Sequence, residues 1–295
     1  MPPVRTPVGK IAAPMFPDGT SWLNVATLRM DQQLGRPVLL EFFDVCRVSS
    51  LRTLPYVQAW AAKYPDLRVI SVHTPGYTPS QDEAVVRAAV ERLGIEHAVA
   101  LDTRHAIWHQ YGNEGWPGRY VWDTKLRLFE IHYGEGAYRE TEQAIQELLG
   151  VEDDLVEPVR PEDEPTAMLV VPTPEQPGAY TGPYEAGGVW AVLEGKGTIR
   201  VDGSDYEVNY TGAHQLVEHG VSTEGVLTLE IGDGVVCHAT TFTPEIPSGR
   251  TPARRRPRSG LCPSPPRTRQ ASALAPDGGR RLPPPLRSAI ACIHA

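Results

Sequence analysis

Residues 36–150 contain short apolar runs typical of strands, which alternate along the chain with apolar residues at helical spacing. Residues 38–43 form an apolar run that Glu41 interrupts, which predicts a buried strand containing one costly interior acid. Residues 51–63 carry apolar side chains at helical spacing. Further strands are predicted at residues 67–73, 95–101, 119–122 and 127–132, and a closing helix at residues 140–149. Strands alternating with helices predict an α/β layout with both sheet faces covered.

One helix start carries its own signal. Ser80 resembles a helix cap, and Glu83 lies three residues further on, where it would complete a capping box. The helical pattern that follows stops at Gly94. These residues predict a helix that begins immediately after Ser80.

From Met168 to Phe242 the period changes to two, and short strands separated by Gly- and Asp-rich turns predict an all-β, sandwich-like domain. The Arg- and Pro-rich residues after it have no periodicity and are expected to be disordered, or to come from an out-of-frame reading of GC-rich DNA. The predicted divisions are an N-terminal segment at 1–35, an α/β domain at 36–150, an acidic Pro-rich linker at 151–166, the sandwich-like domain at 167–246 and the tail at 247–295.

Composition narrows the possible functions. The net charge of −8 includes +9 from residues 250–295, so residues 1–249 carry −17 and are expected to repel nucleic acid. The sequence contains no run of 18 apolar residues, so no membrane span is predicted. The N-terminus lacks the apolar core of a signal peptide, so we expect a cytoplasmic protein without a membrane partner. The four cysteines are scattered and none has metal-ligand or redox-pair spacing, which fits a reducing compartment.

Several separated motifs together resemble one family. Residues 12–150 resemble the redoxin branch of thioredoxin-like proteins, which includes TlpA-like proteins and the soluble C-terminal part of DipZ. The matching pieces are Leu51-Arg52-Thr53-Leu54-Pro55-Tyr56, Val72-His73-Thr74-Pro75, Tyr111-Gly112-Asn113 with Trp116-Pro117, and Tyr133-Gly134-Glu135-Gly136-Ala137-Tyr138. The resemblance implies a thioredoxin fold, a central mixed sheet with flanking helices, and thiol-disulfide oxidoreductase membership. It also implies a carbohydrate-binding-like β-sandwich after that domain.

The resemblance implies where the active-site cysteines would stand. Members of the family carry a buried acid six residues before the first cysteine and a helix-kinking proline five residues after the second. Counting from Glu41 and from Pro55 gives Arg47 and Ser50, so Arg47-Val48-Ser49-Ser50 replaces the C-x-x-C motif. A second register, with Cys46 and Ser49 as the pair, requires an insertion before Pro55. Both registers leave the family's dithiol catalysis in doubt.

Cys46 has two interpretations. It lies just ahead of a predicted helix N-terminus, where the helix dipole and Arg47 would favour a thiolate and a monothiol oxidoreductase function. Alternatively it fills an aromatic position of the family as a structural residue. Ser49 and Ser50 cannot replace a resolving thiol, because a hydroxyl does not cycle between redox states.

Arg47 and the Trp116-Pro117 pair suggest binding rather than turnover. Arg47 at a helix start predicts a carboxylate or anion partner, or else a solvated pair with Asp44. The resemblance implies that Pro117 is a cis-proline and that Trp116 offers its backbone to an extended peptide by strand addition. Without the paired thiols, Glu41 becomes a leftover acid whose pKa is raised if it is buried.

No cofactor or metal site is predicted, because His105 and His109 lack a third ligand and His214 with His219 is a weaker pair still. The aromatic residues of the sandwich-like domain could stack on a carbohydrate or another small ligand; they are Tyr180, Tyr184 and Trp190. The leading hypothesis is a thioredoxin-fold protein with a degenerate active site that binds a protein or peptide partner at the cis-proline groove. The alternatives are a monothiol oxidoreductase using Cys46 and a scaffold acting through the β domain.

Overall fold

The computed structural model describes residues 10–248, which include a six-stranded mixed sheet. Its spatial order is β1-β4-β3-β2-β5-β6. The strands are β1 (Ser21–Leu23), β2 (Val38–Phe43), β3 (Arg68–His73), β4 (Ala98–Leu101), β5 (Gly118–Trp122) and β6 (Leu128–Tyr133). Strands β2, β3 and β4 are parallel, whereas β1, β5 and β6 pair antiparallel to their neighbours. This is the predicted α/β layout with a thioredoxin-like fold.

Strand β2 organises the two layers of the core. All six of its residues are buried, and successive side chains point to opposite sheet faces. Leu40 and Phe42 pack in one cluster with Ile107 and Tyr111, which belong to helix α3 (Ala106–Tyr111). The other face is covered by α1 (Val48–Lys63), α2 (Glu83–Arg92) and α4 (Tyr138–Leu149). Glu41 belongs to this second face, opposite Arg119 in the register of β5.

The start of α2 corrects one sequence expectation. Asp82, rather than Ser80, is the N-cap, and its carboxylate accepts a hydrogen bond from the Ala84 amide at 2.8 Å. Ser80 lies in a preceding 3-10 turn, where its hydroxyl donates to the Tyr77 carbonyl at 2.9 Å. Pro79 at the first position of that turn favours a separate local turn, which delays the helix by two residues.

The N-terminal segment is more ordered than its pattern predicts. Residues 21–23 form β1 and pair antiparallel with Leu101, Ala100 and Val99 of β4. Ala12 also forms an isolated bridge with Arg127. A three-residue edge strand is too short to show a period, so sequence patterning missed it.

The second half of the described chain consists mostly of strands. Strands β9 (Gly197–Val201), β10 (Ser204–Val208) and β12 (Leu229–Ile231) form one antiparallel sheet, and β7 (Gln176–Pro177), β8 (Gly182–Gly195), β11 (Gly212–Leu227) and β13 (Val235–Thr243) form another. One hydrophobic cluster contains side chains from both sheets, including Leu193, Ile199 and Phe242. Strands β8 and β11 are longer than predicted because β-bulges carry the pairing past Gly and polar positions.

The strand region packs directly against the thioredoxin-like part. Val192 of β8 and Ala239 of β13 belong to the same cluster as Val45 and Cys46. Residues 151–166, expected to act as a linker, include a 3-10 turn at Pro161–Asp163 whose Glu162 contacts Arg52 of α1. Within residues 10–248, no helix is both long and apolar enough to cross a membrane. All but the first two residues of the predicted tail lie outside the described residues.

Candidate functional site at the head of helix α1

The loop between β2 and α1 is held by a buried carboxylate. Asp44 is fully buried, and its two oxygens accept hydrogen bonds from the main-chain amides of Cys46 at 2.8 Å and Gly76 at 2.7 Å. The Nε2 atom of His73 lies 3.6 Å from the same carboxylate. These contacts join the head of α1 to the loop after β3, so they fix the relative positions of the two segments that carry the site.

Arg47 is the N-cap of α1 and lies against two aromatic rings. Its guanidinium carbon is 4.9 Å from the ring centroid of Tyr77 and 4.9 Å from that of Trp116. Its Nε atom is buried and, among the described residues, has no hydrogen-bond partner. The expected solvated pair with Asp44 is wrong: no Arg47–Asp44 ion pair forms within residues 10–248, because Asp44 is buried and bound to main-chain amides.

The Trp116–Pro117 peptide bond is cis and lies beside the head of α1. The Trp116 carbonyl accepts a hydrogen bond from the Ser49 hydroxyl at 3.2 Å, and its indole N–H donates to the Thr74 carbonyl at 2.9 Å. Its ring is 4.2 Å from that of Trp108. Within residues 10–248, the main-chain N–H of Trp116 has no acceptor. A donor remains free at the position where the family resemblance implies peptide binding.

The remaining residues of the predicted motif have structural contacts. Ser50 is fully buried, and its hydroxyl accepts a hydrogen bond from the main-chain amide of Asp44 at 3.2 Å. Pro55 lies inside α1. The structure therefore places Arg47, Ser49, Trp116 and Pro117 in one site and leaves Ser50 beneath it.

Cys46 is enclosed rather than presented at the surface. Its side chain is fully buried, and it belongs to the same hydrophobic cluster as Val192 and Ala239 of the strand region. Burial raises the pKa of the Cys46 thiol, and the neighbouring Asp44 carboxylate adds to the rise. The monothiol interpretation assumed that the helix dipole and Arg47 favour a thiolate, because the local sequence could not show that strands far along the chain share a hydrophobic cluster with this thiol. In this environment the thiol, not the thiolate, is the stable form.

A buried polar group lies behind the site. Desolvation raises the pKa of Glu41 to about 7, although Arg119 and a hydrogen bond from Ser71 oppose the rise. The Ser71 hydroxyl also contacts His97 Nε2 at 2.8 Å, and burial lowers the pKa of His97 to about 4. One Glu41 oxygen and two Arg119 nitrogens are buried without a hydrogen-bond partner among the described residues. Glu41 is thus a buried core acid, and Arg47 and Ser50 stand where the family resemblance implies the motif cysteines.

Glu41→Gln is expected to remove a pH dependence of stability. Protonated Glu41 stabilises the fold fully below its unfolded pKa of 4.5, and that contribution is lost as pH rises through the folded pKa of about 7. The loss is on the order of 3 kcal/mol. Urea unfolding of both proteins from pH 4.5 to 8 should show the variant gaining on the wild type as pH rises. His97 gives stability the opposite pH dependence in both proteins, so its effect cancels in the difference between them. A difference in the free energy of unfolding that does not change with pH would contradict a buried, protonated Glu41.

The expected ligand-binding aromatics of the strand region are mainly packing residues. Tyr184 is buried, stacks with Phe242, and contacts His219 Nε2 through its hydroxyl at 3.0 Å. Tyr180 is half-buried and donates to the Pro183 carbonyl, whereas Trp190 is half-buried and lines a cavity. His214 is buried against Tyr210. Residues 10–248 contain no group of three His, Cys, Asp or Glu side chains positioned for a metal ion.

Sequence reasoning missed two residues of the site. Tyr77 follows the Pro-Gly turn at residues 75–76, and its hydroxyl donates to Glu175 at 2.6 Å. Asp44 was considered only as a partner for Arg47. The signal for Asp44 is its place between a buried strand and a helix start, where a short acid commonly binds main-chain amides. Nothing in the local pattern points to Tyr77.

The mixed sheet, the head of α1 and the Trp116–Pro117 turn define a redoxin-type member of the thioredoxin-like superfamily. Among relatives, protein DipZ of Mycobacterium bovis is 31% identical over 175 residues, covering 58% of this chain. Thiol-disulfide oxidoreductase YkuV of Bacillus subtilis is 27% identical over 131 residues, covering 44% of this chain and 88% of YkuV. The chain matches 25% of the length of DipZ.

The solved structures share less sequence identity with this chain than DipZ does. A solved thiol-disulfide isomerase from Corynebacterium glutamicum shares 19% identity with a TM-score of 0.43, covering 48% of this chain and 98% of that one. No family model matches the chain. The chain is thus similar to thiol-disulfide oxidoreductase-like proteins with a thioredoxin fold.

Proposed function

We propose that this protein is a thioredoxin-fold binding protein with a degenerate active site, which captures an extended peptide segment of a partner instead of cycling a dithiol. The observation that carries the proposal is the free main-chain N–H of Trp116 beside Arg47. Peptides that add to a sheet edge are held chiefly by main-chain hydrogen bonds. Such binding requires no cysteine.

Arg47 supplies the selectivity in this proposal. Its half-buried guanidinium is held beside Tyr77 and Trp116, and its cationic charge is not neutralised by an ion pair within residues 10–248. Charge-assisted hydrogen bonds from a guanidinium to a carboxylate are stronger than neutral ones. An Asp or Glu side chain of the bound peptide, placed next to the residue paired with Trp116, would satisfy this group.

Two further features belong to the proposal. The shared cluster of Leu193, Ile199 and Phe242 supports packing of the two antiparallel sheets as a β-sandwich. Cys46 and Cys237 are both free thiols, which supports a cytoplasmic location. The monothiol alternative would require Cys46 to become exposed, since it is now fully buried in a hydrophobic cluster that includes Val192 and Ala239.

Arg47→Glu is expected to weaken binding of acidic peptides. Peptides selected from a random displayed library should be enriched in Asp and Glu, and the best one should bind the variant roughly tenfold or more weakly, because a hydrogen bond to a charged group is worth about 1.5–3 kcal/mol. Fluorescence anisotropy measures the affinity. Amide NMR spectra of the wild type should show the Trp116 resonance shifting on titration.

The matched control is Arg104→Glu, which makes the same charge change at an exposed arginine. It should leave the affinity within about twofold of the wild type, as expected for an exposed charge that solvent and salt screen. Equal losses in the two variants would show a general charge effect. A Trp116 amide that stays in place during titration would contradict strand addition at this site.

A further inference from the structure

A cavity of about 320 Å³ lies where the strand region meets the start of α1. Its walls come from three parts of the chain that are distant in sequence: α1, the segment around residue 161, and strands β8, β11 and β13. It is separate from the site at Arg47 and Trp116, neither of which lines it. A volume of this size is at the lower end of the range for small-molecule sites.

The two arginines at this cavity already have partners. Arg52 is 8% exposed and donates to Glu135 at 2.7 Å and to Glu162 at 2.8 Å. Arg160 forms ion pairs with Asp163 at 2.9 Å and with Glu162 at 3.6 Å, and it donates to the Arg52 carbonyl. Within residues 10–248, neither arginine forms an ion pair with Glu245, the other acid of this cavity.

Two buried carboxyl groups are left with capacity to accept hydrogen bonds. The Glu162 side chain is 5% exposed; one oxygen binds Arg52, and the other is buried with no hydrogen-bond partner among the described residues. Glu245 is 7% exposed and accepts from the Ile246 amide at 2.9 Å. Desolvation raises the pKa of Glu245, and the neighbouring Glu162 carboxyl adds to the rise. An unpartnered buried carboxylate oxygen is costly unless a donor reaches it.

The remaining walls suit the body of an organic ligand. Trp190 lines the cavity above the Gly187-Gly188 pair, and its Nε1 atom would be 3.7 Å from a Cβ at Gly188. A Cβ at Gly187 would be 2.4 Å from the Glu245 side chain, so glycine is required for the close approach of β8 and Glu245. Glu218 is exposed at the rim. An indole face beside carboxylates is a favourable environment for a cation.

We propose that this cavity binds a small organic cation with a primary ammonium or guanidinium group, which donates to Glu162 and Glu245 while its aliphatic part lies along Trp190. The cation supplies the donor that the second Glu162 oxygen lacks, and its positive charge lies between two neighbouring carboxyl groups. A diamine can place its second ammonium group near Glu218. The proposal is independent of peptide binding at Trp116.

The test uses the full chain and putrescine as the probe, with 1,4-butanediol as the neutral molecule of the same length. Isothermal titration calorimetry at fixed ionic strength should give a single putrescine site and no butanediol binding. Glu245→Gln should weaken putrescine binding tenfold or more. Glu230→Gln, an equal charge change on exposed β12, should leave the affinity unchanged. The indole N–H resonance of wild-type Trp190 should shift with putrescine.

Several outcomes would overturn the proposal. Putrescine binding no tighter than butanediol binding, or equal losses in Glu245→Gln and Glu230→Gln, would reduce the effect to general attraction by an acidic protein. A Trp190 indole resonance that does not respond to putrescine would place any bound cation elsewhere. That last measurement uses only the wild type, so it decides the question even if Glu245→Gln fails to fold.

Discussion

The double substitution Arg47→Cys/Ser50→Cys is expected to create thiol-disulfide exchange activity in this chain. Dithiothreitol-driven reduction of insulin should rise from background to roughly tenfold or more above the wild type, because a thiolate and a resolving thiol would then lie one helical turn apart. Mass spectrometry in oxidised glutathione should detect a disulfide between the two introduced cysteines. The expected effect is large because the substitutions add both thiols that the exchange reaction requires.

The geometry at the head of α1 supports this expectation. Arg47 is the N-cap, so a cysteine there would be next to the helix N-terminus, where the dipole lowers a thiol pKa. Ser50 is three residues further along the first turn. Positions at this spacing suit a disulfide, which requires Cα atoms about 4.4–6.8 Å apart.

The matched control is Ser49→Cys, which builds a C-x-x-C motif in the other register by using the native Cys46. It should stay at background, because Cys46 is fully buried and its thiol pKa is raised. Activity in Ser49→Cys but not in the double variant would show that the register based on Glu41 and Pro55 is wrong.

Arg52→Ala is expected to cost about 3–5 kcal/mol of the free energy of unfolding, the usual loss when one partner of a buried ion pair is removed. Arg52 is 8% exposed and binds both Glu135 and Glu162, so its removal leaves two carboxylates without their cation. Glu162 belongs to the segment that connects the two halves of the described chain. Urea denaturation followed by circular dichroism measures the loss.

Arg29→Ala provides the comparison for an exposed pair. Arg29 contacts Asp31 at 2.6 Å with more than half of its side chain exposed, and such exposed pairs contribute little to stability because solvent screens them. Similar losses in Arg29→Ala and Arg52→Ala would show that Arg52 is not desolvated in solution. Such a result would also remove the structural basis for treating residues 151–166 as part of a packed interface.

Sequence patterning recovered the parts of the fold that depend on local periodicity. The apolar run around Glu41 became β2, and the helical pattern at residues 51–63 became α1 with one additional turn at its start. The Trp116-Pro117 motif located the loop opposite α1. Each of these features is encoded within a few residues, because burial of one helix face or one strand imposes its own spacing.

The contacts that define the environment of the site could not be predicted in this way. Cys46 shares a hydrophobic cluster with Val192 and Ala239, roughly 150 to 190 positions further along the chain, and no local pattern encodes such packing. Tyr77 reaches Arg47 through a loop, and its conformation depends on the hydrogen bond from Gly76 to Asp44. The reactivity of a thiol depends on burial and neighbouring charge, so it follows from tertiary contacts.

The most direct test of a non-catalytic active site is the rate of Cys46 alkylation as a function of pH, measured on the full chain with the other three cysteines replaced by serine. Slow labelling, with no thiolate titration below the ordinary cysteine pKa of about 8.5, is the expected result, because the thiol is buried and its pKa is raised. Rapid labelling with an apparent pKa well below that value would contradict it. Cys46 would then be a reactive thiolate, and the monothiol oxidoreductase function would replace the proposed binding function.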